Sequence, residues 1–435
     1  MDYTNHIGTP LTPNATRILL LGAGELGRGL AFSFQKLGLE VHAVDRYPNA
    51  PASQVAHFHY VADIRDADAV LDLCEKIQPH FVAPEVETVA VDALSRIEEG
   101  TDIAVVPSAR ACELTQDRET IRDVACNELG LPTTAFRFAN SEEELYEAVA
   151  ELGLPCIVKP DVATSGKGHM LVRDREEIAE AWERVHRVGT EDRQVIAERV
   201  VDFDYEVTLL AVRSIDPATE KLATWFSQPI GHRHENGNFV ESWQPMHMTE
   251  GALENARSVA ARISNALGGR GVYGVELFVA GDDVYFSSVS PRPSDTAMLT
   301  EHTQRYSEFD LHARAILGYP IDVTMTSPGA SVVLTAEQTL TDVSYAGVGH
   351  AMGLSETDVR LFGKPDAYPG RRMGLVTSTA ESVDEARDRA ALAARKVTIG
   401  ETPTPDEEAE AGAREFHYEK VDGDIVTVRD TPSED

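Results

Sequence analysis

Cysteine, tryptophan, basic residues and long apolar runs are all scarce in this chain, and each scarcity excludes something. The four cysteines (Cys74, Cys112, Cys126, Cys156) form no C-x-x-C pair. They read as buried, inert thiols, not as a zinc site or a disulfide framework. Only three tryptophans occur, and no run of 18 apolar residues is present, so no transmembrane helix and no membrane partner are expected. The opening MDYTNHIGTP lacks the basic-then-apolar layout of a secretory leader. The default is a soluble, cytoplasmic protein. Lysine and arginine number 39 against 72 acidic residues, a formal net charge of −33. That charge repels nucleic acid, which is excluded as a partner on this ground. It also suits concentrated salt, where screening shortens to about 3 Å at 1 M, and a salt-loving source is expected.

What is present is length and alternation. At 435 residues the chain exceeds one ordinary core, and two or three domains are expected. Residues 17–21 (RILLL), 40–44, 80–84 and 103–106 are strand-like and alternate with helix-period segments at 66–77 and 88–98. That is a βαβαβ pattern with a parallel sheet, a Rossmann-like domain over 1–120. From about 121 to 325 helices at 119–130, 141–153 and 252–267 interrupt hairpin-like strands, as in an α+β domain. A smaller domain follows over 326–399, with a last helix at 383–395. Residues 401–435 hold 12 acids, three bases and three prolines and read as a solvated, largely disordered tail.

Gly22-x-Gly24-x-x-Gly27 follows the first strand, and Asp45 lies near the offset of a dinucleotide fingerprint. Three readings stay open: NAD binding, a plain tight turn, or another small ligand at a helix N-terminus. Glu25 inside the loop argues against a pyrophosphate there. Two H-x-H pairs, His57/His59 and His232/His234, have no third ligand in view, and no metal is expected on either.

Lys159 ends the apolar strand 156–160 and can project its ammonium toward phosphate oxygens. Ala163-Thr164-Ser165-Gly166-Lys167-Gly168-His169 departs from a Walker A loop, since Gly168 stands where Ser or Thr belongs. It reads either as a glycine loop folding over a triphosphate or as a hairpin turn. Glu198 closes the run 194–197, where an adenine can stack, and Glu198 or Glu206 can reach a ribose; a solvated edge strand is the alternative. Farther on, a three-residue turn at 281–283 pairs 280 with 284 and sets Glu276 opposite Ser288. Two carboxylates there would clamp Mg²⁺ against phosphates, but only Glu276 is an acid.

Together these residues resemble the ATP-grasp superfamily and, within it, the formate-dependent phosphoribosylglycinamide formyltransferases. The resemblance covers about 5–399 and rests on GAGELG, AVDRYPNAPA, APEVETVA, CIVKP, TSGKG, DFDYEVTLL, ESWQP, YGVELFV, VSPRPSDT, RLFGKP and GRRMG. It implies a Rossmann-like domain, an ATP-grasp domain and a small C-terminal domain, assembled as a homodimer. It implies ATP and Mg²⁺ as cofactors, with formate and glycinamide ribonucleotide as substrates. By resemblance ATP is bound by Arg118, Lys159, Thr164, Ser165, Gly166, Lys167, Gly168, His169, Glu198, Arg199, Val200, Val201 and Glu206. Glu276 would hold the metal, with Ser288 where the family has a second glutamate. Glu25, Leu26, Glu85, Asp295, Lys364, Arg371 and Arg372 would bind the ribonucleotide. Lys159, Lys167 and Arg292 would stabilise the transferring phosphoryl group, and Asp295 would take the amine proton. His169, Ser294 and Ala297 replace the family's usual Gln, His and Gly. The rival readings are a bicarbonate-activating sister ligase, a nucleotide-binding protein weakened by Ser288, and an NAD-linked dehydrogenase.

Overall fold

The computed structural model describes residues 6–161, 168–187, 194–235, 238–401, 418–421 and 424–428. The first sheet is built from β1 (Arg17–Leu21), β2 (Glu40–Asp45), β3 (Phe58–Val61), β4 (Phe81–Pro84) and β5 (Ala104–Val105), with α1 (Glu25–Lys36), α2 (Ala67–Ile77) and α3 (Val91–Gly100) between them. Its strands are parallel in the order β3-β2-β1-β4-β5. Ile18, Leu19, Leu20 and Leu21 are fully buried, as expected for a strand covered on both faces. The chain leaves β1 toward β2 on one side and meets β4 on the other. A crevice therefore opens beyond the carboxyl ends of β1 and β4, where Gly22 and Glu85 follow directly. β3 was not anticipated, because its exposed edge-strand residues carry no apolar alternation.

Two helices, α4 (Ala109–Gln116) and α5 (Arg118–Asp123), lead into a π-helical segment, Val124–Glu128. Side chains of Ser108 and Asp117 cap the two helices by accepting from Ala111 N and Thr120 N. A four-stranded antiparallel sheet follows from β6 (Phe136–Ala139), β7 (Cys156–Pro160), β8 (Met170–Val172) and β9 (Val195–Arg199), in the order β6-β9-β7-β8. It is backed by α6 (Glu142–Leu152) and α7 (Ile178–His186).

The largest sheet contains β10 (Tyr205–Asp216), β11 (Lys221–Phe226), β12 (Ile230–Glu235), β13 (Asn238–Gln244), β14 (Gly271–Ala280) and β15 (Asp283–Ser290). α8 (Glu250–Leu267), capped by Thr249, packs its Ala252, Ala256, Val259, Ala260 and Ile263 face on β10, β14 and β15. Behind the hairpin come α9 (Thr300–Thr303) and α10 (Glu308–Ile316). α10 also packs against α1, through Phe309 set on Gly29.

The last segment holds β16 (Gly329–Thr335), β17 (Val343–Ala346), α11 (Val348–Met352), β18 (Thr357–Leu361), β19 (Arg372–Thr379), α12 (Val383–Ala394) and β20 (Thr398–Glu401). β16, β19 and β18 continue the large sheet from β13, while β17 pairs with β20. The small C-terminal unit is thus hydrogen-bonded onto the middle one. Within the acidic tail, β21 (Tyr418–Val421) and β22 (Asp424–Val428) pair as an antiparallel hairpin, a local departure from the structureless tail expected above. The β-branched run at 425–428 beyond an Asp-Gly turn signal accounts for it. No helix among the described residues is long and apolar enough to cross a membrane.

Candidate functional site

The glycine loop is shaped by what approaches it. Gly22 has φ +101°, and a Cβ there would lie 2.7 Å from Glu85 Oε2 and 2.9 Å from Val86 Cγ1, so only glycine fits. Asp45 Oδ2 accepts a 2.8 Å hydrogen bond from Ala23 N. The acid at the fingerprint's ribose position therefore holds the loop itself. Glu25 opens α1 and stands 2.8 Å from Lys364 Nζ and 3.6 Å from Arg372 Nη2. A pyrophosphate at this N-terminus would face a carboxylate, which removes the dinucleotide reading.

Gly22 and Glu25 line a cavity of about 240 Å³ with Tyr47, Glu85, Arg292, Asp295 and Arg372, and Arg65 and Glu87 stand at it too. Asp295 Oδ2 is 2.6 Å from Arg372 Nη1, while its Oδ1 is buried with no hydrogen-bond partner among the described residues. Glu85 is buried, its Oε2 also lacks a partner there, and burial pushes its carboxyl up to about 8 against the opposing pull of Arg292. Arg292 pairs with Glu87. Lys364 is pushed down by burial, although Glu25 opposes this. Arg371 does not line this cavity: it lies 2.5 Å from Asp366 and over Tyr368, within electrostatic range of Lys364 and Tyr47. Tyr47, Arg65 and Glu87 were missed; the strings AVDRYPNAPA and APEVETVA contain two of them.

A second cluster forms where β7 and β9 meet the hairpin β14–β15. Lys159 Nζ lies 2.5 Å from Glu198 Oε2, and Glu198 Oε1 lies 2.7 Å from Arg122 Nη2. Arg122 also donates a 3.0 Å hydrogen bond to Phe286 O. All three side chains are buried, and two cations outweigh burial to hold the Glu198 carboxyl well below its ordinary range. β9 is an interior strand, so the solvated-edge reading of Glu198 fails, and its carboxylate is engaged by cations instead of being free for a ribose. Arg118 donates its Nε–H to Pro160 O at 3.1 Å and lies in the field of both Glu198 and Glu276. His169 is driven down to about 2 by burial and then by Arg118 and Lys159. Arg199 is exposed, Val200 and Val201 are half-buried, and Gly168 takes φ +81°. Thr164, Ser165, Gly166 and Lys167 lie outside the described residues.

The hairpin reaches the expected pairing by a different route. Its turn has two residues, with Ala280 opposite Asp283, and a β-bulge between Glu276 and Leu277 shifts the ladder back so that Glu276 faces Ser288. Ser288 Oγ donates a 2.7 Å hydrogen bond to Glu276 Oε2. One carboxylate and one hydroxyl are thus aimed together, a donor pair of the hard-oxygen kind that Mg²⁺ accepts. Glu206, on β10, sits opposite His232 on β12 and lies 2.9 Å from His234 Nδ1. It supplies the third group that the H-x-H motif lacked.

Three family models match the chain in order. They are the ribonucleotide synthetase preATP-grasp domain over residues 15–116, the ATP-grasp domain over 124–309, and PurT, C-terminal, over 329–397. A formate-dependent phosphoribosylglycinamide formyltransferase of Corynebacterium efficiens is 59% identical over 400 residues, 92% of this chain and 100% of that protein. One of Rhodococcus jostii is 52% identical over 391 residues, 90% of this chain and 97% of that protein. Among solved structures, glycinamide-RNase-transformylase T from Mycobacterium tuberculosis aligns with TM-score 0.73 and 38% identity, covering 88% of this chain and 100% of that one. N5-carboxyaminoimidazole ribonucleotide synthetase from Thermus thermophilus aligns with TM-score 0.74 and 30% identity, covering 89% and 99%.

Proposed function

The chain belongs to the ATP-grasp formate-dependent phosphoribosylglycinamide formyltransferases, and we propose that it makes N-formyl glycinamide ribonucleotide from formate, ATP and glycinamide ribonucleotide. A formate oxygen attacks the γ-phosphorus of ATP, and ADP leaves with the electron pair of the broken bond. The amine of glycinamide ribonucleotide then attacks the formyl carbon, phosphate departs, and the amine gives up a proton. The observation that carries this reading is the two-part site. The cavity bearing Glu25, Glu85, Asp295 and Arg372 lies in the same molecule as the Lys159–Glu198–Arg122 cluster, and Arg292 of the β15 end lines the cavity.

In this reading Lys159, Lys167 and Arg292 stabilise charge on the transferring phosphoryl group, and Arg118, His169 and Glu206 contact the nucleotide. Glu276, with Ser288 beside it, would hold magnesium, which when bound supplies neutralising charge at the phosphates. Arg372 and Lys364 favour a phosphate monoester, a group that a guanidinium fork matches. Glu25 orients both cations. Arg372 fixes one oxygen of Asp295 and leaves Oδ1 to accept the amine proton. Glu85, protonated near neutrality, offers a hydroxyl donor to the ribose. The protein is assigned to the cytoplasm and to a homodimer on the same footing.

ADP release with formate, glycinamide ribonucleotide and Mg²⁺ tests the proposal. Turnover that requires formate and is not supported by bicarbonate is the expected result. Bicarbonate-dependent turnover on another purine intermediate would replace it with the sister-ligase reading.

A further inference from the structure

Asp295 is carried on a single 3₁₀ turn, Asp295–Ala297, between the end of β15 and α9. A turn that short has no ladder to hold it, so the side chains around it set its position. Glu308, the first residue of α10, grips it twice. Its Oε2 accepts a 2.7 Å hydrogen bond from Ser294 N, the residue next to Asp295. Its own N–H donates to Thr300 Oγ1 at 2.9 Å, and that hydroxyl donates to Ala297 O at 2.6 Å. From this we propose that Glu308 is a positioning residue for formyl transfer, acting through Ser294 to hold the Asp295 carboxylate where it meets the amine. The inference rests on the formyl-transfer reading, in which Asp295 Oδ1 takes the amine proton.

The other contacts leave the turn little slack. Ser294 Oγ, Thr296 Oγ1 and Thr208 Oγ1 form a chain of hydroxyls at 2.7 and 2.8 Å. A Cβ on Gly274 of β14 would stand 3.0 Å from Ser294 Cβ. Arg372 holds Asp295 Oδ2. Glu308 itself is fully buried. Its Oε1 has no hydrogen-bond partner among the described residues, and its Oε2 meets an amide instead of a cation. An ionised carboxylate in that setting is costly, so the acid keeps its proton. Burial raises the Glu308 carboxyl well above its ordinary range; the Ser294 amide opposes this, Asp295 and Glu301 add to it, and Arg360 opposes it. A neutral acid still accepts the Ser294 N–H, and it leaves Asp295 as the anion of the pair. Attack of formate on the γ-phosphorus does not use Asp295. Loosening the turn therefore stalls only the second step. Water then attacks the formyl carbon of formyl phosphate, the carbon–oxygen bond to phosphate breaks with its electron pair, and formate, phosphate and a proton are released. ADP forms without product.

The test measures ADP and N-formyl glycinamide ribonucleotide in the same reactions for Glu308→Gln, Glu308→Leu and Glu308→Asp, with thermal melting to confirm folding. Glu308→Gln keeps a neutral acceptor for Ser294 N and should stay within about threefold of the parent kcat, at about one ADP per product. Glu308→Leu removes the acceptor and should slow product formation by on the order of a hundredfold. ADP formation should fall far less, so the ratio of ADP to product climbs at least about tenfold while KM for ATP holds within a few-fold. Glu308→Asp is one methylene too short for Ser294 N; it should uncouple in the same way and serves where Glu308→Leu fails to fold. Equal loss of ADP and product in Glu308→Leu and Glu308→Asp is a general packing defect and overturns the proposal. So does a Glu308→Gln protein as uncoupled as Glu308→Leu, or a Glu308→Leu protein that matches the parent. A parent that forms no product from formate is a distinct result, which removes the formyl-transfer reading and this role with it.

Discussion

Ser288 Oγ donates its hydrogen bond to Glu276 Oε2 across the β14–β15 ladder, so the hydroxyl and the carboxylate are held as one unit. A second acid at 288 would bring about one more charge pair to a cation, at most ~4 kcal/mol at ~4 Å and an effective dielectric of about 20. Ser288→Glu is therefore expected to lower the Mg²⁺ concentration needed for half-maximal ADP formation by at least about tenfold, a gain of ~1.4 kcal/mol. Glu276→Gln removes the carboxylate and should slow ADP formation roughly a hundredfold or more. A Mg²⁺ titration of all three proteins decides it. A parent that binds ATP but releases no ADP, repaired by Ser288→Glu, would mark a weakened binding protein.

Glu198 joins two sheets through its cations. Lys159 comes from β7, and Arg122 reaches both Glu198 and the Phe286 carbonyl of β15. Glu198→Gln strands two buried cations and should cost about 3–5 kcal/mol in urea unfolding. Lys159→Met leaves the Arg122–Glu198 pair intact, so it should cost less stability while abolishing nucleotide turnover. The depressed Glu198 carboxyl contributes stability that is present above the ordinary carboxylate range and lost as pH falls below it. Acid unfolding should accordingly begin at higher pH in Lys159→Met.

Glu85 carries the opposite sign. Its carboxyl is raised by burial to about 8 from an unfolded value of 4.5. Between those values the folded chain binds the extra proton, so stability falls as pH rises. The parent should lose thermal stability from pH 6 to 9 more steeply than Glu85→Gln, by about 1–3 kcal/mol across that window. Parallel melting curves for the two proteins would remove the perturbed carboxyl from the account.

How much of this could be read in the chain depended on whether partners were close in sequence. The run RILLL followed by a glycine turn specified β1, its loop and the crevice, since each depends on neighbours. Glu276 opposite Ser288 was anticipated from a three-residue turn; the two-residue turn and the compensating β-bulge reached the same pair by different geometry. Arg122 escaped notice because it sits in a helical stretch with no local cue, and its partner Glu198 is 76 positions away. The carboxylate that joins the second H-x-H pair, Glu206, is 28 positions from His234 and became visible only through strand pairing. The partner of Arg371, Asp366, is five positions away across a turn, and no pattern in the sequence marks that pair.

The formal charge of −33 makes a prediction independent of the site. Self-repulsion over the surface is screened as the Debye length falls from about 10 Å at 0.1 M to 3 Å at 1 M. The melting temperature should rise by several degrees, about 1–2 kcal/mol, between low and molar KCl. Differential scanning calorimetry across that range checks it, and a flat response would remove the salt-loving reading.

Arg372 and Arg371 offer the cleanest separation of binding from structure. Arg372 lines the cavity and holds Asp295 at 2.6 Å and Glu25 at 3.6 Å, so losing it removes a phosphate-type donor and frees two acids. Arg372→Ala should raise KM for glycinamide ribonucleotide roughly a hundredfold, the ~3 kcal/mol of a charge-assisted hydrogen bond, and leave KM for ATP within a few-fold. Arg372→Lys keeps the charge without the fork and should recover only part of it. Arg371→Ala removes the pair with the half-exposed Asp366, outside the cavity lining, and should change KM for the ribonucleotide by less than about fivefold. Steady-state kinetics on the three variants, varying each substrate in turn, measure all of these. Equal losses at 371 and 372 would mean that Arg371 swings from Asp366 into the cavity when the phosphate binds.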